Sequence, residues 1–168
     1  AGDVLVVNGD VPLLDADTLQ GLINQHRDAQ AAATVLSTIL EDATGYGRVI
    51  RSADGNLEKL VEHKDANQDE LAIKEINAGI YVFSAPELRA QLSNLTLDNA
   101  QGEKYITDVI GLLRQAGATV AAVEILDSWK VEGINDRSQL AAAAGQLNAM
   151  IIRGWQMAGV TIIDPHST

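Results

Sequence analysis

Asp10 stands two residues after an apolar run, Val4-Leu5-Val6-Val7, across the turn-forming pair Asn8-Gly9. A carboxylate just beyond the carboxyl end of a strand lies where open α/β sheets take their ligands. It can hold Mg2+ against phosphate oxygens, because that ion takes one or two protein oxygens and otherwise keeps water and substrate phosphate. The competing reading is an aspartate that caps a turn. Gly45-Tyr46-Gly47 reads either as a turn or as a stretch of bare backbone that a sugar or phosphate can approach closely. Glu62 closes a hairpin, where most carboxylates are simply solvated. Asn77 interrupts the apolar stretch Ile76 to Phe83, and a buried amide there needs partners in protein or ligand. Asn135 and Asp136 sit before a long helix, either one suited to cap it. His26 falls on an apolar helical face, His63 adjoins Glu62 and either assists it or is solvated, and His166 carries no signal. The chain lacks the His-Glu-x-x-His, Walker and Gly-x-Ser-x-Gly patterns, which removes support for metalloprotease, P-loop and hydrolase chemistry.

The elements that must position these groups alternate in type. Val4 to Val7 has the character of a buried central strand, Asp15 caps a helix with Leu19, Leu22, Ile23 and His26 on one face, and Ala33 to Leu40 is a second strand, expected parallel to the first. Asp54-Gly55 marks a hairpin between Gly47–Arg51 and Leu57–Val61, an antiparallel excursion. Ile76 to Phe83 resumes the sheet, Pro86 opens a short helix, and Ile106, Val109, Ile110 and Leu113 form a helical stripe that Gly117 ends. Thr119 to Ile125 reads as a strand. The last helix spans about Asp136 to Met157, with Leu140, Ala143, Ala144, Leu147 and Ile151 on one face, and Gly159 to Pro165 reads as the start of another strand.

At 168 residues and 46% hydrophobic content the chain is long enough for one ordinary domain with a real core. A net charge of -11 gives no footprint for gripping nucleic acid or an anionic membrane. With no cysteine, disulfides, thiolate zinc sites and cysteine nucleophiles all fall away. No apolar run reaches the roughly 20 residues of a membrane span and no signal peptide is visible, so the expected location is cytoplasmic. Both ends look cut, since the chain lacks an initial Met and enters a strand almost at once.

Read in order, Asn8-Gly9-Asp10-Val11-Pro12-Leu13, Thr44-Gly45-Tyr46-Gly47-Arg48-Val49, Val61-Glu62-His63-Lys64-Asp65-Ala66, Glu75-Ile76-Asn77-Ala78-Gly79-Ile80, Gly102-Glu103-Lys104-Tyr105-Ile106-Thr107-Asp108 and Val131-Glu132-Gly133-Ile134-Asn135 form a specific series. It resembles the bifunctional N-acetylglucosamine-1-phosphate uridyltransferase/glucosamine-1-phosphate acetyltransferase family across essentially the whole chain. The resemblance implies an α/β fold, a doubly wound, mostly parallel nucleotide-diphospho-sugar transferase sheet with an antiparallel hairpin excursion. Residues 1–157 would belong to the uridyltransferase domain, and residues 158–168 would begin a left-handed parallel β-helix. It further implies that Asp10 and Asn135 bind Mg2+, that Gly47, Glu62 and Asn77 hold the N-acetylglucosamine portion, and that Glu103, Tyr105 and Thr107 lie in a segment that closes around the sugar. By the same resemblance Asn8 and Gly9 would line the ligand beside Asp10, although Asn8 stands where some members have Tyr.

The partners implied are UTP, N-acetylglucosamine-1-phosphate and UDP-N-acetylglucosamine, and the complete protein would trimerise through the β-helix and also acetylate glucosamine-1-phosphate with acetyl-CoA. The reaction implied is in-line attack of the sugar phosphate on the α-phosphorus of UTP, with no side-chain nucleophile. The family's Gly-rich amino-terminal loop is missing, so this chain alone is expected to show little turnover. The alternatives are another sugar-1-phosphate nucleotidyltransferase and a non-catalytic nucleotide-sugar-binding module.

Overall fold

The computed structural model describes residues 2–168, which form two compact units. One comprises the chain up to Asn8 together with Asp15–Ser128, and the other comprises Gly9–Leu14 with Trp129–Thr168.

The first unit carries a mixed sheet of six strands: β1 (Asp3–Val6), β2 (Ala33–Ile39), β3 (Arg48–Arg51), β4 (Leu57–Val61), β5 (Glu75–Ser84) and β6 (Val120–Glu124). The spatial order is β4-β3-β5-β2-β6, with β1 also on β5. The α/β class read from the sequence holds, but the pairing differs from a mostly parallel sheet. β1, β2, β3 and β6 run the same way, yet β5 enters antiparallel among them, so the described parallel ladder is β2 with β6. β1 and β2 are therefore codirectional across β5 rather than adjacent. The physical reason is the hairpin excursion: β3 and β4 reverse the chain, so it re-enters the sheet at β5 in the opposite sense.

β5 organises everything that follows. Its edge away from β2 is shared, with β3 at its amino-terminal half (Arg48 opposite Ile76) and β1 at its carboxyl half (Val6 opposite Tyr81). Between them the strand bulges. Val35 lies opposite Tyr81 and Ser37 opposite Asn77, so the single residue Leu36 faces Ala78, Gly79 and Ile80. Gly79 takes a φ of +72°, which a side chain would resist.

Helix α1 (Ala16–Asp28) is capped by Asp15, whose carboxylate accepts from the Thr18 N–H at 2.8 Å, and it buries Leu22 and His26. His26 is not merely packed; it is 3% exposed, with Nδ1 2.9 Å from Thr34 Oγ1. The polar stretch after the hairpin, which shows no apolar periodicity, contains a short helix, α2 (Gln68–Leu71), closed by a reciprocal Asn67–Glu70 capping box. Pro86 lies in the first turn of α3 (Ala85–Leu92), and α4 (Asp108–Gln115) buries Val109, Ile110 and Leu113. These side chains join Val35, Val49, Leu57, Leu60, Tyr81 and Phe83 in one core.

β1 is not the buried central strand its composition suggests. Val4 and Leu5 are 37% and 38% exposed, because β5 is its single partner among the described residues.

The second unit is dominated by α5 (Arg137–Met157), capped by Asp136. The expected apolar face does not form a core: Leu140, Leu147 and Ile151 are about half exposed, while Ile152 is buried. The segment after Gly159 is no strand in this chain; it turns around Asp164, which accepts from the Ser167 hydroxyl at 2.6 Å. A strand needs a neighbouring ladder to satisfy its backbone, and none pairs with this segment among the described residues.

Candidate active site

In the first unit, the turn before β3 brings bare backbone to the end of the hairpin. Asp42 accepts from the Thr44 N–H at 2.9 Å, the Tyr46 N–H donates to the Ala43 carbonyl at 3.2 Å, and Gly45 has a φ of +87°. Bonding to Thr44 holds the Asp42 carboxyl below the ordinary range. Gly47 then accepts from the Asn77 N–H at 2.9 Å, which fixes it against β5. Arg48 is 2% exposed and donates to the Tyr46 and Leu71 carbonyls, so a buried guanidinium braces the same turn.

Three residues converge where Gly47 lacks a side chain. A Cβ at Gly47 would lie 3.4 Å from Glu62 Oε2, 3.5 Å from the Val61 carbonyl and 3.7 Å from the Asn77 Cβ. Glu62 is not the solvated carboxylate that base rates favour; it is half-buried, and the buried Thr107 donates to its Oε1 at 3.0 Å. That bond orients the carboxylate and leaves Oε2 facing Gly47.

Asn77, 9% exposed, finds protein partners. Its Oδ1 accepts from the Gly79 N–H at 2.9 Å, and its Nδ2 donates to the Tyr81 hydroxyl at 2.6 Å. Burial pushes the Tyr81 phenol well above its ordinary value, the Glu62 charge adds to the rise, and the Asn77 bond partly offsets it. Asn8 belongs to this neighbourhood as well: a Cβ on Gly79 would collide with its Nδ2. Tyr81 was not picked out by the sequence, where it reads as one more apolar strand residue.

Of the later motif, Thr107 alone reaches Glu62 through a described hydrogen bond. Glu103 and Tyr105 sit in a loop organised on itself: Asn99 bonds the Glu103 backbone, and Gln101 donates to the Tyr105 hydroxyl at 2.9 Å. Two bonds tie that loop to the segment after Glu62, Ala100 N–H to Asp65 at 2.8 Å and Lys64 to Gln101 at 2.7 Å. Burial, then the nearby Asp65, raises the Asp108 carboxyl pKa. His63 is not solvated at Nδ1; that atom is buried with no hydrogen-bond partner among the described residues.

In the second unit, the Ile134 N–H donates to the Asp10 carbonyl at 2.9 Å, and a Cβ at Gly133 would lie 3.2 Å from Asp10 Oδ2. Glycine at 133 thus keeps a space open beside the carboxylate. Asp136 rather than Asn135 caps α5, its Oδ1 accepting from the Ser138 and Gln139 N–H groups at 2.8 Å. The Asn135 backbone N–H bonds Gln139 at 2.6 Å, which leaves the Asn135 side chain outside the cap. No group of three His, Cys, Asp or Glu suited to a metal exists among the described residues, so a cation held by Asp10 and Asn135 would keep water or substrate oxygens. Gly9 is exposed, with nothing near its missing Cβ.

The sheet, with polar groups gathered at its strand ends, is an α/β architecture of the kind that takes ligands there. The nucleotidyl transferase family model matches residues 1–137, and the chain belongs to that family. It is 61% identical over 168 residues to the bifunctional protein GlmU of Leifsonia xyli subsp. xyli, and 49% identical over 168 residues to that of Mycobacterium tuberculosis. Each match covers 100% of this chain, but the chain spans 35% and 34% of those relatives. Among solved structures, a CMP:2-keto-3-deoxy-manno-octonic acid synthetase complexed with CTP superposes with a TM-score of 0.58 at 14% identity, covering 88% of this chain and 62% of that one. A putative glucose-1-phosphate thymidylyltransferase from Bacillus anthracis gives 0.55 at 16% identity, covering 90% and 54%. These superpositions show the shared fold. No helix among the described residues is long and apolar enough to cross a membrane.

Proposed function

We propose that this chain supplies the sugar- and metal-binding portion of a uridyltransferase that moves UMP from UTP to N-acetylglucosamine-1-phosphate, giving UDP-N-acetylglucosamine and pyrophosphate. The observation that carries the reading is the convergence on Gly47: Glu62, oriented by Thr107, and Asn77 border the space its missing side chain leaves. A carboxylate and an amide beside bare backbone suit a sugar, whose hydroxyl and acetamido groups both donate and accept.

A phosphate oxygen of the sugar phosphate attacks the α-phosphorus of UTP; the new O–P bond forms as the bond to the β-phosphate oxygen breaks, and pyrophosphate leaves. Such transfers rest on positioning and charge neutralisation more than on covalent help. Glu62, Asn77 and the Gly47 backbone orient the sugar, while Thr107 spends its hydroxyl proton on Glu62 and so positions that carboxylate. Glu103 and Tyr105 stand on the adjoining loop as further contacts, Asn8 is a further contact beside Gly79, and Gly9 is one next to Asp10 in the chain. Asp10 offers a hard oxygen beside the space that Gly133 keeps open, and Asn135, two residues further along the chain from Gly133, carries a second, a donor set that fits Mg2+. The ion, when bound, neutralises charge on the phosphate oxygens.

We infer further that the complete protein is cytoplasmic and that residues 158–168 lead into a left-handed β-helix that carries acetyl transfer and builds a trimer; the word bifunctional in the relatives' name favours a second activity. The test is Asp10→Asn in the complete polypeptide. Uridyl transfer should fall at least about 100-fold, since electrostatic contacts of this kind are worth that much, while acetyl transfer and the unfolding temperature stay unchanged. Full uridyl transfer by the variant would refute the role of Asp10.

A further inference from the structure

The bulge in β5 sets a geometry that a regular strand does not allow. Asn77 and Tyr81 are four residues apart, a separation of about 13 Å along an unbroken strand. Because Leu36 faces Ala78, Gly79 and Ile80 together, they stand opposite Ser37 and Val35, only two residues apart on β2, or about 7 Å. Their side chains meet at 2.6 Å.

The bond completes a clamp. The Gly79 N–H selects the oxygen end of the Asn77 amide, since a reversed amide would face donor to donor. The Tyr81 hydroxyl takes one proton of the nitrogen end. What remains is one N–H and one carbonyl lone pair in fixed positions, the complement of a sugar hydroxyl or a secondary amide. Tyr81 is itself held, 2% exposed and with its ring stacked on Phe83 at 5.6 Å between centroids.

We propose that Tyr81 is a positioning residue for sugar recognition, acting through Asn77 by fixing the direction in which its amide presents donor and acceptor. The inference rests on the reading of Asn77 as a sugar contact. Tyr81 touches no substrate, so its effect belongs in the affinity for the sugar phosphate and not in the handling of the nucleotide.

The experiment uses the complete polypeptide and compares Tyr81→Phe, Asn77→Ala and the double variant by steady-state pyrophosphate release. Phenylalanine keeps the ring and its stacking and removes only the hydroxyl. Expected is a rise of about tenfold in the KM for N-acetylglucosamine-1-phosphate in Tyr81→Phe, the scale of one lost neutral hydrogen bond. The KM for UTP should be unchanged and kcat little altered. Asn77→Ala should raise the same KM, with the double variant no worse than Asn77→Ala alone, because both substitutions act on one contact. If Asn77→Ala raises KM while Tyr81→Phe does not, or if the two effects add, the role of Tyr81 is overturned and the sugar site stands. A Tyr81→Phe protein that loses only thermal stability, with KM intact, overturns it equally. If Asn77→Ala leaves KM unchanged, the sugar assignment itself fails, and the inference with it.

Discussion

Gly47→Ala separates stability from recognition. The added methyl would lie 3.4 Å from Glu62 Oε2, 3.5 Å from the Val61 carbonyl and 3.7 Å from the Asn77 Cβ. All three are ordinary van der Waals distances, and Gly47 is not among the glycines at positive φ. The fold therefore has room for alanine. Because alanine restricts the unfolded chain, the variant should be as stable as the parent or gain about 0.4–1 kcal/mol.

The same methyl occupies the space that Glu62 and Asn77 border, where a sugar would approach the backbone. Loss of one hydrogen bond to a charged group costs about 1.5–3 kcal/mol, which corresponds to a KM for the sugar phosphate raised roughly 10- to 150-fold. The assays are urea unfolding and initial rates of pyrophosphate release at varied sugar phosphate, in the complete polypeptide. A loss of more than about 1 kcal/mol in stability would show that the space is not there. An unchanged KM would show that no substrate uses it.

Two further predictions concern the framework. Gly79→Ala should cost about 1–3 kcal/mol, since it forces a side chain to φ +72° and against Asn8; adding Asn8→Ala should recover only the steric part, and an unfolding midpoint equal to the parent's would contradict the bulge. His26 is buried neutral: burial lowers its pKa, the charge of Arg27 lowers it further, and nearby Asp3 partly opposes them. A depressed folded value means that the unfolded chain binds the proton more readily, so stability is full above the ordinary imidazole value near 6.5 and falls as pH drops below it. Thermal unfolding between pH 7.5 and 5 should show this loss in the parent and a smaller one in His26→Gln, whereas equal slopes would exclude His26 as its source.

Much of the fold was legible because its signals are local. Asp15 and Asp136 cap helices by reaching their own first turns, Asp54-Gly55 turns the hairpin with Gly55 at φ +82°, and Val109, Ile110 and Leu113 share a face through helical spacing alone. The candidate site was legible as a set of residue types, and Gly47, Glu62, Asn77 and Thr107 do come together.

What the sequence could not determine is which strands become neighbours. Apolar composition marks Val4 to Val7 and Ala33 to Leu40 as strands that favour the sheet, but it says nothing of β5 passing antiparallel between them. The apolar stretch Ile76 to Phe83 likewise reads as an unbroken strand through Asn77 and Tyr81; the bulge exists because β5 pairs with β1, β2 and β3 in registers that only the assembled sheet reconciles. Caps, turns and helical stripes are short-range and cost little chain entropy to form, so the sequence by itself determined them. The contact of Asn77 with Tyr81, the approach of Thr107 to Glu62 and the exposure of β1 depend on partners brought from distant parts of the chain, and the tertiary structure alone decided those.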